Sequence, residues 1–252
     1  MTTSATTGRY ASVNGLHLYY QEHGTGRPLV LLHGGMLDTD ASFGELIPLL
    51  APSHRLIGID MQGHGRTADV EREPIYPNLA DDVVALLDHL GLERADVLGF
   101  SLGGLVALEL GMRHPDRVDR LVVAAAHYQP DGYHDLEGAA ADRLPTEAEF
   151  AAMRAEYDRV APDPAHFDAF LERMNVVVHG HAGWSADQLR GITAPVLLVI
   201  GDTDFVRIEH AAEMLDLIPN AQLAVLPATR HTEVIDQRDV LVPMLARFLA
   251  RD

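Results

Sequence analysis

Five residues, Gly99-Phe100-Ser101-Leu102-Gly103, form the pattern Gly-x-Ser-x-Gly between a short apolar stretch and a helix-like segment. A serine at a sharp strand-to-helix turn presents its hydroxyl away from the sheet, beside the backbone N–H groups of the first helical turn. Glycine is needed two positions before and after it, because side chains there would collide with the neighbouring strand or helix. The pattern is common by chance, but this setting favours a nucleophilic serine at position 101.

Three other predicted strands also end in residues that could take part in chemistry. His33-Gly34-Gly35-Met36 follows the first buried strand, and Gly201-Asp202-Thr203-Asp204 follows the strand that begins at position 195. His231 follows the last predicted strand. Because functional groups gather outside the carboxyl ends of the strands in an open α/β sheet, these segments are expected to meet Ser101.

The chain order serine, aspartate, histidine predicts a catalytic triad. A serine hydroxyl is a weak nucleophile until a base removes its proton, and His231 is suited to this near neutral pH. A buried carboxylate, supplied by Asp204 or Asp202, would hold the imidazole in the useful tautomer and stabilise its cation. The backbone N–H groups of Gly35 and Leu102 are the predicted donors to the oxyanion.

The elements that must position these residues alternate between strand and helix over most of the chain. This alternation predicts an α/β fold, a mostly parallel sheet with helices on both faces. It stops between 127 and 190, where the chain is mostly helical and more polar, so we predict a helical insertion between core segments 1–126 and 191–252. Strands are predicted at Leu16–Gln21, Pro28–Leu32, His54–Asp60, Val97–Phe100, Val118–Ala125, Pro195–Gly201 and Gln222–Leu226, and helices at Phe43–Leu50, Leu79–Leu90, Leu102–Arg113, Glu209–Leu217 and 236–250.

These segments resemble the motifs of the α/β-hydrolase fold family, in particular its serine esterase- and lipase-like branch with a helical cap. The resemblance covers the chain from about residue 10 to residue 249. His33-Gly34-Gly35 resembles the oxyanion loop, and Asp60-Met61-Gln62-Gly63-His64-Gly65 resembles the turn after the next strand. The segment around Ser101 resembles the nucleophile elbow, Gly201–Asp204 resembles the acid loop, and His231 has the position of the general base.

The resemblance implies a role for each of the remaining polar residues in these motifs. Asp204 is implied as the catalytic acid, with Asp202 bracing the turn. His33 and His64 are implied to brace loops, and Asp60 to support its own loop rather than the catalytic histidine. Separately, the sequence has no metal-ligand cluster, and Gly99–Gly104 lacks the Lys-Ser/Thr ending of a phosphate-binding loop, so catalysis is expected to need no cofactor.

One residue departs from the family pattern. Family members commonly carry a glycine just before the catalytic histidine, where this chain has Arg230. The Arg230 side chain is predicted to face solvent. The alternative is an inward side chain that contacts a carboxylate or carbonyl group of the substrate.

The predicted insertion has the position of the family's cap, which covers the serine and controls what reaches it. Met36, His127, Tyr128 and Trp184 are the candidate substrate-binding residues. Other apolar residues of the insertion, such as Tyr133 and Met174, are expected either to line the pocket or to hold the cap helices together. A medium-sized apolar pocket favours a small-molecule ester with a neutral acyl or aromatic group as substrate.

The composition disfavours several partners and kinds of site. The chain has 37 acidic and 19 basic residues and a net charge of −18, so its surface repels phosphate backbones and nucleic acid is not an expected partner. The absence of cysteine excludes disulfides, thiolate metal ligands and a cysteine nucleophile. His179-Gly180-His181 lacks a third ligand at matched spacing, which favours a polar turn over a metal site.

No targeting or membrane segment is predicted. Residues Met1–Gly8 form a polar tail without the basic region and apolar stretch of a secretion signal. No segment approaches the roughly 18 consecutive apolar residues of a membrane span. A cytoplasmic protein without membrane association is therefore expected, and the oligomeric state stays open.

We therefore predict a serine hydrolase that cleaves carboxylic esters through an acyl-enzyme on Ser101. Cleavage of lactones, thioesters, amides or C–C bonds, and perhydrolysis, use the same triad and stay open as alternatives. Haloalkane dehalogenases and epoxide hydrolases are disfavoured because both need an aspartate at the position of Ser101. A non-catalytic ligand-binding protein of the same fold is the alternative from another class, and the presence of all three triad residues favours the enzyme.

Overall fold

An eight-stranded sheet forms the centre of the protein. The computed structural model describes residues 8–135 and 142–250. Residues 1–7 of the predicted N-terminal tail and residues 136–141 of the predicted insertion lie outside the described residues. The strands are β1 (Arg9–Val13), β2 (Leu16–His23), β3 (Arg27–Leu32), β4 (His54–Ile59), β5 (Ala95–Phe100), β6 (Val118–Ala124), β7 (Val196–Gly201) and β8 (Ala221–Leu226).

The strand order is β1-β2-β4-β3-β5-β6-β7-β8. β2 is antiparallel to both β1 and β4, and every other neighbouring pair is parallel. Parallel strands end at the same edge of a sheet, so the segments that follow β3, β5, β7 and β8 lie along one edge. The predicted α/β fold with a mostly parallel sheet is therefore confirmed.

Strand β3 shows why helices cover both faces of the sheet. Val30 and Leu32 belong to one apolar cluster and Leu29 and Leu31 to another, because successive side chains of a strand point to opposite faces.

None of the helices in the described part of the chain is long and apolar enough to cross a membrane. The α-helices are α1 (Thr39–Phe43), α2 (Ile47–Leu50), α3 (Tyr76–His89), α4 (Leu102–Arg113), α5 (Glu147–Val160), α6 (Phe167–Gly180), α7 (Ala186–Arg190), α8 (Ile208–Leu217) and α9 (Arg238–Leu249).

The sheet is sandwiched between two sets of helices. Buried residues of α3, α4 and α7 belong to the same cluster as Val30, whereas those of α1, α2 and α9 belong to the cluster of Leu29. Helices α5, α6 and α7 lie between β6 and β7 in the chain, in the segment for which the sequence predicts a helical insertion. Helix α5 begins with a capping box, in which Thr146 and Glu149 bond each other's backbone N–H groups.

Two elements differ from the sequence prediction by more than a shift of their first or last residues. Strand β1 was not predicted; it pairs with β2 at the edge of the sheet, where Tyr10 is exposed and the alternation of apolar residues is weak. The helix predicted at Phe43–Leu50 is two short helices, since α1 ends at Phe43 with Gly44 as its C-cap and α2 begins at Ile47.

The turn between β5 and α4 brings backbone segments unusually close together. Ser101 has a positive φ of 52° there. A Cβ atom at Gly99 would lie 2.1 Å from the carbonyl oxygen of Gly103, and one at Gly103 would lie 2.0 Å from that of Leu32. Both glycines are therefore required by close approach, as the Gly-x-Ser-x-Gly pattern predicts.

We expect Gly103→Ala to lower the free energy of unfolding by about 2 kcal/mol or more, because the added methyl group meets rigid backbone and not a movable side chain. Gly180→Ala is the matched control, since a Cβ at Gly180 meets nothing within 4 Å. That substitution should change stability by less than about 0.5 kcal/mol. Urea unfolding of both variants measures the difference, and equal effects at the two positions would contradict the close packing of the turn.

Candidate active site

Ser101, His231 and Asp204 form a continuous hydrogen-bonded series. The Nε2 atom of His231 lies 2.9 Å from the Ser101 hydroxyl oxygen, and its Nδ1 atom lies 2.8 Å from Oδ1 of Asp204. An ionised carboxylate only accepts hydrogen bonds, so Nδ1 donates to Asp204 and Nε2 is left to accept from Ser101. This is the arrangement in which histidine acts as a base toward serine.

Each member of the series follows the end of a different strand. Ser101 is the N-cap of α4 directly after β5, and Asp204 lies in the turn after β7. His231 begins a 3-10 helix, His231–Asp236, after β8. Asp204 is completely buried, and its Oδ1 atom also accepts the N–H of Val206 at 3.0 Å. These contacts fix the carboxylate with one oxygen toward the imidazole.

Two aromatic rings hold the imidazole of His231 in place. The ring of Phe205 stacks on it with centroids 3.8 Å apart, and the ring of Phe100 lies 5.5 Å away. Neither residue was predicted from the sequence to contact the imidazole. Their positions in the sequence could have indicated this contact, because Phe205 directly follows Asp204 and Phe100 directly precedes Ser101.

Asp202, the other candidate acid, has a different set of contacts. Its Oδ1 atom accepts the N–H of Thr229 at 3.2 Å, and its own N–H donates to the carbonyl of Leu226. Asp202 therefore ties the loop after β7 to the loop that carries His231. The structure places Asp204, and not Asp202, beside the imidazole.

The predicted oxyanion donors lie in the same cavity as the serine. Gly35 and Leu102 both line that cavity with Ser101. The loop of Gly35 is fixed to the start of α4, because the N–H of Gly103 donates to the carbonyl of His33 at 3.0 Å. Among the described residues, none accepts a hydrogen bond from the N–H of Gly35 or Leu102, so both groups are available to a bound carbonyl oxygen.

Two buried histidines brace the loops around this cavity. His33 is completely buried, its Nδ1 atom lies 2.8 Å from the Gly34 carbonyl oxygen, and its Nε2 atom accepts the N–H of Met61 at 3.0 Å. The ring of His64 packs 4.8 Å from it. Burial lowers the pKa of His33 to about 4 and that of His64 to about 3. Both rings are therefore neutral near pH 7 and act as fixed hydrogen-bonding and packing groups.

Asp60 supports its own loop. It is completely buried, and its Oδ1 atom accepts the N–H of Thr39 at 3.0 Å. Its Oδ2 atom accepts hydrogen bonds from the N–H and from the guanidinium of Arg66, both at 3.0 Å. None of the hydrogen bonds of Asp60 described here involves His231. This agrees with the resemblance, which implies that Asp60 supports its own loop and not the catalytic histidine.

The cavity beside Ser101 is small and mostly apolar. Its volume is about 200 Å³, below the ~300–1,000 Å³ of sites that hold drug-sized ligands. Helix α6 supplies one wall through side chains at helical spacing, which places them on one face of the helix. The side chains that line it, in addition to the residues above, are Met36, Leu105, Tyr133, Leu171, Met174, Asn175, Val178 and Phe205.

The predicted substrate-binding residues are only partly brought to this cavity. Met36 lines it, and His127 packs behind it with its ring 4.3 Å from that of Tyr133. Burial and neighbouring histidines lower the pKa of His127 to about 3. Tyr128 stacks on His210, and Trp184 lines a separate cavity, so neither is placed as predicted. Which side of an inserted helix or loop faces the serine depends on packing that residue types alone do not specify.

Trp184 connects the segment before α7 to α4. The indole Nε1 of Trp184 donates to the buried carboxylate of Glu109 at 2.6 Å. The ring of His181 packs between Tyr76 and Trp184, with centroid distances of 4.7 and 4.5 Å. Within residues 8–135 and 142–250, no group of three or more metal-binding side chains has the geometry to hold an ion.

Arg230 is not free in solvent as predicted but lies in a partly exposed ion pair. Its guanidinium donates to the carboxylate of Glu149 at 3.2 and 3.3 Å and to the carbonyl of Leu144 at 2.7 Å. The side chain is 27% exposed. The prediction was wrong because the acidic partner lies on α5, more than 80 residues away in the chain.

Comparison with known proteins identifies the family. A model of the α/β hydrolase fold matches residues 27–159. The chain therefore belongs to the α/β hydrolase fold family.

Relatives and solved structures extend the likeness over almost the whole chain. A putative non-heme chloroperoxidase from Synechocystis sp. is 28% identical over 93% of this chain and 95% of its own. A putative carbamate hydrolase RutD from Agrobacterium fabrum is 28% identical over 92% of this chain and 98% of its own. The crystal structure of a serine hydrolase involved in carbazole degradation is 25% identical, with a TM-score of 0.82 and coverage of 97% and 99%. Family and relatives together support a hydrolase.

The two aspartates of the loop after β7 offer a matched pair of substitutions. We expect Asp204→Asn to lower kcat by about 10⁴-fold, because an amide at this position no longer holds the imidazole in the useful tautomer. Asp202→Asn should stay within about ten-fold of the unsubstituted enzyme, since its partner is a backbone N–H that an amide oxygen also accepts. Steady-state kinetics with any substrate that the protein turns over measures kcat for both variants. A larger decrease in Asp202→Asn than in Asp204→Asn would assign the catalytic acid to Asp202.

The low pKa of His33 predicts acid sensitivity. In the unfolded chain its pKa is about 6.5, so between about pH 6.5 and 4 the unfolded state binds a proton that the folded state does not. Above this pH window, neutral His33 makes its full contribution to the free energy of unfolding. As the pH decreases through the window, that free energy falls by up to about 1.4 kcal/mol per pH unit. His33→Gln keeps an acceptor for Met61 but does not titrate. Urea unfolding at several pH values should therefore show a shallower acid decline in the variant, and parallel curves would contradict a buried neutral His33.

Proposed function

We propose that the protein hydrolyses carboxylic esters through an acyl-enzyme on Ser101. The observation that supports this proposal most strongly is the hydrogen-bonded series Ser101–His231–Asp204, whose serine lines an apolar cavity. Each contact has the length and the donor–acceptor order that nucleophilic catalysis requires.

The proposed reaction has two halves. In the first, the Ser101 oxygen attacks the carbonyl carbon while His231 Nε2 takes the hydroxyl proton, and the N–H groups of Gly35 and Leu102 donate to the oxyanion. The C–O bond to the alcohol then breaks, and His231 returns the proton to the leaving oxygen. In the second half, His231 takes a proton from the water that attacks the acyl carbon. The bond between the acyl group and the Ser101 oxygen then breaks, the carboxylic acid leaves, and His231 returns the proton to the serine oxygen.

The cavity indicates a short, neutral acyl group. Its walls are largely aliphatic and aromatic side chains, and the part of its lining that the structure describes contains no lysine or arginine. An anionic acyl group would lose its hydration there without gaining a charged partner. The walls supplied by Leu171, Met174 and Val178 of α6 limit its length, so in this proposal the inserted helices act as the cap.

The same triad serves the other acyl and C–C substrates considered above. Lactones, thioesters, carbamates and C–C substrates present a carbonyl carbon to the same serine, and perhydrolysis replaces water with peroxide in the second half. These reactions differ in the leaving group or in the nucleophile of the second half, not in the residues described here. A ligand-binding protein of the same fold would instead leave Ser101 unreactive.

We expect p-nitrophenyl esters to be hydrolysed and Ser101→Ala to lose the activity, by at least about 10³-fold in kcat, because the nucleophile is removed. Ser12→Ala, on the exposed face of β1, is the matched serine control and should retain full activity. Across the series from acetate to decanoate, kcat/KM should be highest for short acyl chains.

A fluorophosphonate probe distinguishes the outcomes of this experiment. Labelling of Ser101 without turnover of any ester would keep a serine hydrolase and reject ester cleavage, and the lactone, thioester and carbamate series would then be tested. Absence of labelling, with the chain folded, would support a binding protein.

A further inference from the structure

A single carboxylate, that of Glu149, joins the first turn of α5 to the loop of His231. Its Oε1 atom accepts from Arg230 Nη1 at 3.2 Å and from the Thr232 hydroxyl at 3.0 Å. Its Oε2 atom accepts from the N–H and hydroxyl of Thr146 at 2.7 and 2.8 Å and from Arg230 Nη2 at 3.3 Å. Both oxygens are thus used, one mainly toward the histidine loop and one mainly toward the start of α5.

The two partners in the loop are the immediate neighbours of His231. Arg230 precedes the imidazole-bearing residue and Thr232 follows it. The N–H of Arg230 is also bonded, to Oε2 of Glu233 at 2.9 Å. With a side chain held on each side, the backbone of His231 has little freedom to move its ring relative to Ser101.

The segment that carries Glu149 also touches the loop of the acid. Arg143, a few residues before α5, donates from Nη1 to the backbone carbonyl of Asp204 at 2.6 Å. Arg230 in turn donates to the carbonyl of Leu144. Residues 143–149 therefore contact the loops of both Asp204 and His231, whereas α6 supplies the wall of the cavity.

We infer that Glu149 is a positioning residue for the reaction, which sets the place of His231 through Arg230 and Thr232. This inference rests on the proposed function, because positioning has a meaning only if His231 acts on Ser101. The inserted segment then has two separate tasks: α6 shapes the cavity, and the start of α5 holds the base.

The charge state and exposure of Glu149 suit this role. The backbone N–H of Thr146, followed by the Thr146 hydroxyl, Arg230 and Thr232, lowers the pKa of Glu149 to about 2. The carboxylate is therefore ionised throughout the pH range in which a histidine base operates. The Arg230–Glu149 pair is partly exposed, at 27% and 30%, and pairs of this kind contribute little to folding stability. Loss of this pair should therefore lower kcat and leave the free energy of unfolding nearly unchanged.

The test compares Glu149→Gln, Arg230→Met and Thr232→Val. Glutamine offers only one acceptor oxygen where the carboxylate offers two, so contacts on one side are lost. We expect kcat to fall roughly ten-fold in Glu149→Gln and Arg230→Met, with KM within two-fold, since small displacements of a catalytic group cost rate and not binding. Thr232→Val should show a smaller decrease in the same direction. The double variant Glu149→Gln/Arg230→Met should be no slower than either single variant, because the two residues act as one unit.

Two control variants separate positioning from charge and from helix capping. Glu147→Gln removes the same charge from the same exposed helical turn and should keep the kcat of the unsubstituted chain. Thr146→Ala weakens the cap of α5 but leaves Arg230 and Thr232 bonded to Glu149, so it should stay within two-fold. Unchanged kcat in Glu149→Gln, or a decrease matched by Thr146→Ala and absent from Arg230→Met, would overturn the inference.

A readout that needs no substrate distinguishes failure of this inference from failure of the proposed function. The rate of fluorophosphonate labelling reports the reactivity of Ser101 whatever bond the enzyme cleaves. We expect labelling in Glu149→Gln and Arg230→Met to slow by the same factor as kcat. If the unsubstituted chain is labelled but no ester is turned over, ester hydrolysis fails and these rates still test Glu149. Equal labelling rates in all variants would reject the positioning role of Glu149 and would leave the proposed function untouched.

Discussion

The backbone at Ser101 adopts φ 52° and ψ −114°, a conformation that typically costs a non-glycine residue about 1–3 kcal/mol. Three hydrogen bonds hold it there: Ser101 N–H to Ala124, Gly103 N–H to His33, and Leu105 N–H to Ser101. They connect the turn to β6, to the end of β3 and to α4. The position of the Ser101 hydroxyl therefore depends on the correct register of the strands. The other residues of the site must lie at the right distances from this hydroxyl.

Burial gives the histidines around the cavity different chemical characters. His33, His64 and His127 are surrounded by protein, and desolvation keeps them uncharged near neutral pH. His231 differs in having a buried carboxylate 2.8 Å from one ring nitrogen and a hydroxyl 2.9 Å from the other. In the proposed mechanism, this carboxylate stabilises the positive charge that forms on the ring when it takes the serine proton. The neutral rings can support loops without competing for the proton.

Much of the core and of the triad could be predicted from the sequence because local patterns encode them. Helix α4 begins and ends where its residues indicate, and the interior strands differ from their predicted bounds by a residue or two. The candidate triad residues could be predicted because Ser101 directly follows β5, and Asp204 and His231 lie in the loops after β7 and β8. Strand β1 lacked such a signal, as its five residues are mostly exposed on an edge.

The inserted helices were the least predictable part, for a physical reason. Their side chains meet the core through contacts between residues distant in the chain, such as Arg230 with Glu149 and Trp184 with Glu109. Residue type does not say which of several carboxylates an arginine will meet. The direction of Arg230 and the places of Tyr128 and Trp184 therefore needed the structure.

The separation of the triad along the chain has a consequence for when the protein acquires reactivity. Ser101 and His231 are 130 positions apart, and His231 is held in place only after β8 has paired with β7 at the edge of the sheet. During synthesis the nucleophile turn and most of the sheet emerge long before the base. In the proposed mechanism, Ser101 therefore gains its base only when the segment after β8 has been synthesised and has packed against the sheet.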